Sequence, residues 1–435
     1  MSMKKELMTV LAIVLFVIGL GAGYGIGVMT VPPKEIEKRI EVPVPTGLTG
    51  TVEVGVLVPL TGGLSSYGED CKAAWELGGE DVNAFLKSAG ANWTLKLTFE
   101  DTATSPDTAL TRLESLIARG VKIVLGPMGS GEILAIKERA EAEGVLIISP
   151  SSTAVTLAIP GDNVFRFCAI DDLQGPAIAS AIYSEGVTHM VSVYLANPWG
   201  EGLDKATSEK FESLGGSVLA HIEFPATFDP AALAEDIKTK VEEAIASGVP
   251  KDKIGIFLVS YGEALQIFSH ASGYTVLSQI KWFGTDGTVM LPEIADLAGH
   301  PKETQFALDT KFTSTMYRIP ETRKFAYVKE KILERMGREP TIYAYGAYDS
   351  VWVVALALAS VGKYDSMKVK AILPQVAERY FGASGNIVLN QNGDLAVADY
   401  TLWRPVKTDN VVEWKEVGTY YYATDSVEWK EGYKP

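Results

Sequence analysis

Short apolar runs of β character alternate with amphipathic helical stretches from Val52 to Thr285, and this alternation limits the fold more than any other feature. The spacing predicts strands over 52–60, 95–101, 121–126, 145–150, 190–196, 216–224, 253–260 and 280–285. Helical patterns over 71–86, 108–120 and 132–144 separate the first of them. Near-continuous apolar strands divided by helices form parallel sheets covered on both faces. So many units exceed one sheet, which predicts two α/β lobes. After Thr310 the pattern changes to helices over 325–337 and 348–362. A hairpin-like tail then starts at Gly385, with a turn at Asn392-Gly393-Asp394.

The N-terminus reads differently. Lys4 and Lys5 precede an uncharged apolar stretch from Leu7 to Val31, long enough to cross a bilayer. Glu35 and Glu37 follow it, so the charge asymmetry puts the N-terminus inside and the body outside. No A-x-A site interrupts the run, and an uncleaved anchor is favoured over a cleaved signal peptide. Gly19, Gly23 and Gly27 stand at four-residue spacing, which permits close helix packing or is simply tolerated in a membrane helix. The segment 1–31 is thus read as an anchor helix and 32–50, rich in proline and charge, as a stalk.

The formal charge of -15 is spread along the chain, which argues against a nucleic-acid partner. Two cysteines, Cys71 and Cys168, give no disulfide framework; they pair, or both stay as buried thiols. The four histidines are scattered and lack metal-ligand spacing to one another or to cysteine. Ser130 lies in GPMGSGE, not in a G-x-S-x-G elbow, and no Walker loop is present. The expectation is no enzyme, no cofactor and no metal.

Polar residues at the carboxyl ends of strands remain, where open α/β sheets take their ligands. Strand 121–126 runs into Pro127-Met128-Gly129-Ser130, and strand 145–150 into Ser151-Ser152-Thr153; each is expected to open a helix. Helix starts with free N–H groups suit a carboxylate, while ordinary N-caps would use the same serines. Trp199 in NPWGEG, Tyr261 and Asp286 in FGTDG each follow a strand of the second lobe, although an aspartate before glycine is also a common turn residue.

With these residues in view, the body from Val52 to about Tyr422 resembles the leucine/isoleucine/valine-binding protein family, the periplasmic-binding-protein type I solute receptors of ABC transporters. VGVLVPLTGGLSSYGED is similar to the family's first strand, glycine turn and pocket tyrosine. IVLGPMGSGEILAIKERAEAEGVLIISPSSTA matches its next two pocket loops. DDLQGP, NPWGEGL, FLVSYGEALQIF, WFGTDG, YAYGAYDSVWVVALAL and GASGNIVLNQNGD follow in family order.

The resemblance implies two Rossmann-like lobes with parallel-rich sheets joined by a three-strand hinge, closing over a small molecule. The crossings fall near residues 172, 312 and 399, giving an N-terminal lobe of 51–171 plus 313–398 and a C-terminal lobe of 172–312 plus 399–435. It implies that Ser130 and the N–H of Thr153 hold an α-carboxylate with help from Tyr261. The ammonium would go to Asp286, the Thr153 hydroxyl and the Ser151 carbonyl. Tyr67 and Trp199 would close over the ligand, and Met128, Gly129, Ser152 and Tyr343 would line the side-chain subsite. A zwitterion in a closed cleft needs both donors and an anion, because unpaired buried charge is costly. The chain departs from the family where aspartate and tryptophan stand at Asp286 and Trp199 in place of glutamate and tyrosine, and it lacks the small disulfide near the first pocket loop. The implied function is an extracytoplasmic amino-acid receptor for an ABC permease. A ligand-sensing ectodomain, or a binder of small amides or aromatic acids, stands as the alternative; the few residues before the anchor favour transport.

Overall fold

The computed structural model describes residues 47–434. The anchor and most of the stalk read from the sequence lie outside these residues. The first sheet has the order β2-β1-β3-β4-β5, from β1 (Gly50–Val58), β2 (Trp93–Asp101), β3 (Ile123–Leu125), β4 (Leu146–Ser149) and β5 (Val164–Arg166). All its pairings are parallel, with Val52 opposite Leu95 and Gly55 opposite Val124. Val54, Val56, Leu57 and Val58 are fully buried, as expected where helices cover both faces. The helices Ser65–Ser88 and Tyr343–Val361 pack together against this sheet.

The second parallel sheet, β7-β6-β8-β9, uses β6 (His189–Leu195), β7 (Ser217–Phe224), β8 (Ile254–Val259) and β9 (Lys281–Phe283). A third sheet is antiparallel, in the order β10 (Ser314–Tyr317), β11 (Tyr400–Thr408), β12 (Val411–Tyr421) and β13 (Ser426–Trp429). It joins the second sheet through a parallel bridge from Phe283 to Thr313. The connecting segments lie side by side: Gln174 Nε2 donates to Thr315 Oγ1 at 3.0 Å, and the Tyr400 hydroxyl to the Ile170 carbonyl at 3.4 Å.

Three sequence expectations change. The regular C-terminal hairpin is β11–β12, so the stretch from Gly385 is a loop with isolated bridges, although Asn390–Asp394 does turn. No helix opens at Ser151; only a single 3₁₀ turn, Val155–Leu157, follows. The helix Asp171–Ser184 and the strand β5 were not read from the sequence. Cys71 and Cys168 are both buried and unpaired. Among the described residues, one helix, Tyr343–Val361, is long and apolar enough to span a membrane, and it is a buried core helix.

Candidate functional site

Between the two parallel sheets the strand ends face one another across a narrow cavity of about 20 Å³. From the first sheet come Met128, Ser130, Ser151 and Thr153, with Tyr67 from the helix after β1 and Tyr343 from the start of the core helix. From the second come Trp199, Tyr261 and Asp286. Nine of the residues singled out from sequence therefore share one wall-to-wall space. Gly129 and Ser152 do not line it. Gly129 precedes the helix Ser130–Ala142, and its N–H donates to Glu132 Oε2 at 2.8 Å. Ser152 is buried behind Ser130, their hydroxyls 2.9 Å apart.

Ser130 is the first residue of its helix rather than the cap, and its hydroxyl is occupied across the loops. It accepts from the backbone N–H of Thr153 and of Ala154, each at 3.2 Å. Ser151 Oγ donates to the Met128 carbonyl at 3.1 Å. These bonds weld the two loops into one rigid surface, with the helix N-terminus behind it.

The opposite wall is aromatic and acidic. Trp199 stands in the first turn of the helix Pro198–Ser213, whose start is fixed by Asn197 capping Gly200 N–H at 2.8 Å. Its indole stacks on Tyr261, with centroids 4.4 Å apart and planes 13° from parallel. A Cβ on Gly287 would stand 2.6 Å from the Trp199 ring and 2.6 Å from the Ser260 carbonyl, so only glycine fits beside Asp286. The turn carrying Asp286 is closed by its threonines, with Gly287 N–H donating to Thr285 Oγ1 at 3.1 Å and Thr288 Oγ1 to the Thr285 carbonyl at 3.1 Å. The Asp286 carboxylate is therefore free for another task. Its Oδ2 accepts from the Tyr343 hydroxyl, and its Oδ1 has no well-formed hydrogen bond, with Gln174 and the Gly287 N–H nearby.

Burial raises the Asp286 carboxyl to about 6, against the lowering effect of the Tyr343 bond. A residue that sequence reasoning missed stands nearby. Asp171 is fully buried behind Thr153, whose carbonyl accepts its N–H at 3.0 Å, and neither carboxylate oxygen has a well-formed hydrogen bond. Burial, then the charge of Asp286, pushes its carboxyl well above the usual range. Two further groups position the site. Arg166 pairs with Asp394 at 2.6 Å and donates to the Ala154 carbonyl at 2.7 Å, holding the Ser151–Ala154 loop from below. Asp70 pairs with Arg338 and accepts from Thr341 N–H at 2.8 Å, fixing the entry to Tyr343.

Burial likewise raises Asp70 to about 6 and Glu132 to about 7. A carboxyl raised on folding stabilises the fold fully below its unfolded value, and that contribution is lost as pH rises through the folded value. The ligand-free protein should therefore melt at a higher temperature at about pH 5 than at about pH 8, opposite to a protein held by ionised carboxylates. Scanning calorimetry across that range tests the sign; a melting point that falls on acidification would contradict it.

Among the described residues, no group of three or more His, Cys, Asp and Glu side chains is arranged to hold a metal ion. Comparison with known proteins bears on the rest. Residues 51–409 match the family model described as periplasmic binding protein. The chain belongs to the periplasmic binding protein family. An uncharacterized protein of Methanocaldococcus jannaschii is 31% identical over 87% of this chain and 92% of its own length. The leucine-, isoleucine-, valine-, threonine- and alanine-binding protein of Pseudomonas aeruginosa is 25% identical over 81% of this chain and 89% of its own. Among solved structures, the leucine-binding protein of Thermotoga maritima aligns with a TM-score of 0.68 at 23% identity, over 84% of this chain and 97% of that one. A solute-binding protein of an ABC transporter from R. palustris, in complex with benzoate, aligns at 0.67 and 16%, over 84% and 96%. The fold is that of the type I periplasmic binding proteins.

Proposed function

We propose that this protein is the extracytoplasmic receptor of an ABC importer and captures an α-amino acid by lobe closure. The observation that carries the reading is the charge balance of the closed cavity. The Asp286 carboxylate lines it, Asp171 lies buried behind, neither Asp286 Oδ1 nor either Asp171 oxygen has a well-formed hydrogen bond, and the opposite wall is the pair of loops tied together at the helix start. Closing buried carboxylates without a cation is costly. An ammonium removes that cost, and the carboxylate on the same molecule meets Ser130, Thr153 and Tyr261.

Aromatic acids are the second reading, favoured by the Trp199–Tyr261 stack and by the benzoate-bound neighbour. Benzoate leaves Asp286 uncompensated, and this ranks it lower. Lobes of 51–171 plus 313–398 and of 172–312 plus 399–435 would rotate about the three crossings. In this reading the segment 1–31 anchors the receptor beside its permease.

Few direct bonds among the described residues hold the closed form: Tyr343 hydroxyl to Asp286 Oδ2, Tyr67 hydroxyl to Val289 carbonyl at 2.6 Å, Ser66 Oγ to Glu293 Oε1 at 2.7 Å, and Gly262 N–H to Gly63 carbonyl at 3.0 Å. A cavity of about 20 Å³ holds one water and little more, so a ligand enters only when the lobes part. Small-angle scattering should show a wider ligand-free particle that contracts on adding a bound amino acid. Equal profiles at a ligand concentration that saturates calorimetric binding would contradict capture by closure.

A further inference from the structure

The closed form leaves about 20 Å³ in the central cavity, and the largest side chains around it are tied in place. The Tyr67 hydroxyl donates to the Val289 carbonyl of the other lobe at 2.6 Å. The helix carrying Tyr67 cannot retreat, since a Cβ on Gly68 would already stand 1.8 Å from the Pro59 carbonyl oxygen. The Tyr343 hydroxyl donates to Asp286, and Tyr317 packs on its ring with centroids 5.9 Å apart. Asp70 fixes the backbone just before it through the Thr341 N–H at 2.8 Å. Trp199 is held between its stack on Tyr261 and the close approach of Gly287. Parting the lobes to gain room would break Tyr67 from Val289, Tyr343 from Asp286 and Gly262 from Gly63.

Every α-amino acid brings the same ammonium and carboxylate, so the cost of widening this space differs among them only through the side chain. Extra methylenes pressed against packed walls force side chains off their rotamers or shift the backbone, and the cost grows with size. A neighbouring space of about 320 Å³ lies between the lobes, but it does not relieve a long side chain. Tyr261 lines both spaces, and on the reading above it meets the ligand's carboxylate, so that end is already taken. Leu64 and Met128 are the lining side chains without a polar tie, and methionine adapts readily to irregular gaps. Their shift admits a methyl or hydroxymethyl group. We infer that the preferred ligand is a small amino acid, with a side chain of the size of alanine's or serine's, and that the tied Tyr67, Tyr343 and Trp199 set the limit.

This inference rests on the amino-acid reading above. Calorimetry on the full chain, with L-alanine, L-serine, L-leucine, L-phenylalanine and benzoate as probes, tests the two separately. Alanine and serine should bind at least about ten-fold more tightly than leucine, and phenylalanine most weakly of the four amino acids. Met128→Ala enlarges the space and should raise the leucine-to-alanine affinity ratio by about ten-fold. Leu64→Ala carries the same test if the Met128 variant does not fold. A lining residue that serves the fold alone would leave this ratio unmoved. Leucine or phenylalanine binding as tightly as alanine, or an unmoved ratio in the folded variant, overturns the size limit while leaving an amino-acid receptor. Binding of benzoate and of no amino acid overturns both.

Discussion

Asp286→Asn is expected to weaken amino-acid binding by about thirty-fold to several thousand-fold, the effect of about 2–5 kcal/mol for truncating one partner of a buried charged pair. The substitution changes little else. Asparagine has the same shape, its carbonyl oxygen still accepts from the Tyr343 hydroxyl, and the turn is held by Thr285 and Thr288. Removing a carboxylate whose burial raises it to about 6 should leave the ligand-free fold as stable or more so. Loss of affinity with retained or increased melting temperature is therefore the signature. Ser130→Ala is the companion, because it removes the hydroxyl that ties the Thr153 and Ala154 amides to the helix start, so the loop that meets a carboxylate loosens and every carboxylate ligand should bind more weakly. Benzoate separates the two variants: it needs the donors of Ser130 but is repelled by Asp286. If Asp286→Asn binds an amino acid within about two-fold of the parent, no ammonium sits at that carboxylate and the amino-acid reading falls.

How much of this was legible in the sequence follows from where each signal lies. The strands β3, β4 and β8 are short apolar runs, and the loops after them carry Met128, Ser130, Ser151, Thr153 and Tyr261, which line the central cavity. Strand-end position singled out Ser130, Thr153 and Asp286 but left cap and turn readings open, and their binding roles came from the family resemblance. The strand β5 has three residues and ends on a buried arginine, so it gives no apolar run to read. The helix Ser366–Arg379 contains Pro374, which reads as a break. Asp171 belongs to an acidic doublet at a helix start, where two carboxylates look like ordinary partners of the helix dipole. Glu132, three residues after Gly129, reads as a capping residue and is one, and only the structure reveals its second, unpaired oxygen. Ser130 shows the converse: a serine at a helix start suggests a cap, yet its hydroxyl bonds amides in the next loop. Local pattern gives the element, but not the long-range partner.

The pair of Arg166 and Asp394 is the clearest case, since 228 positions separate the partners. Both side chains are almost wholly buried, and the strand β5 meets the turn at Gly393, whose carbonyl accepts from Arg166 N–H at 2.9 Å. Asp394→Ala should destabilise the fold by about 3–5 kcal/mol, because it strands a guanidinium in the interior. A lower urea midpoint with an unchanged slope measures this. Replacing both partners, as Arg166→Met with Asp394→Leu, removes the stranded charge and should recover most of that loss. Affinity should not recover with it. The Ala154 carbonyl loses its donor at 2.7 Å, and the loop that presents Thr153 to the cavity loses its support from below. An unsatisfied buried acceptor costs about 1–3 kcal/mol, and a displaced binding loop turns that into roughly ten-fold weaker binding or more. Stability restored and affinity still low would identify the pair as a support for the binding loop. If both recover together, the pair serves the fold alone, and the donor surface built on Ser130 and Thr153 is rigid without it.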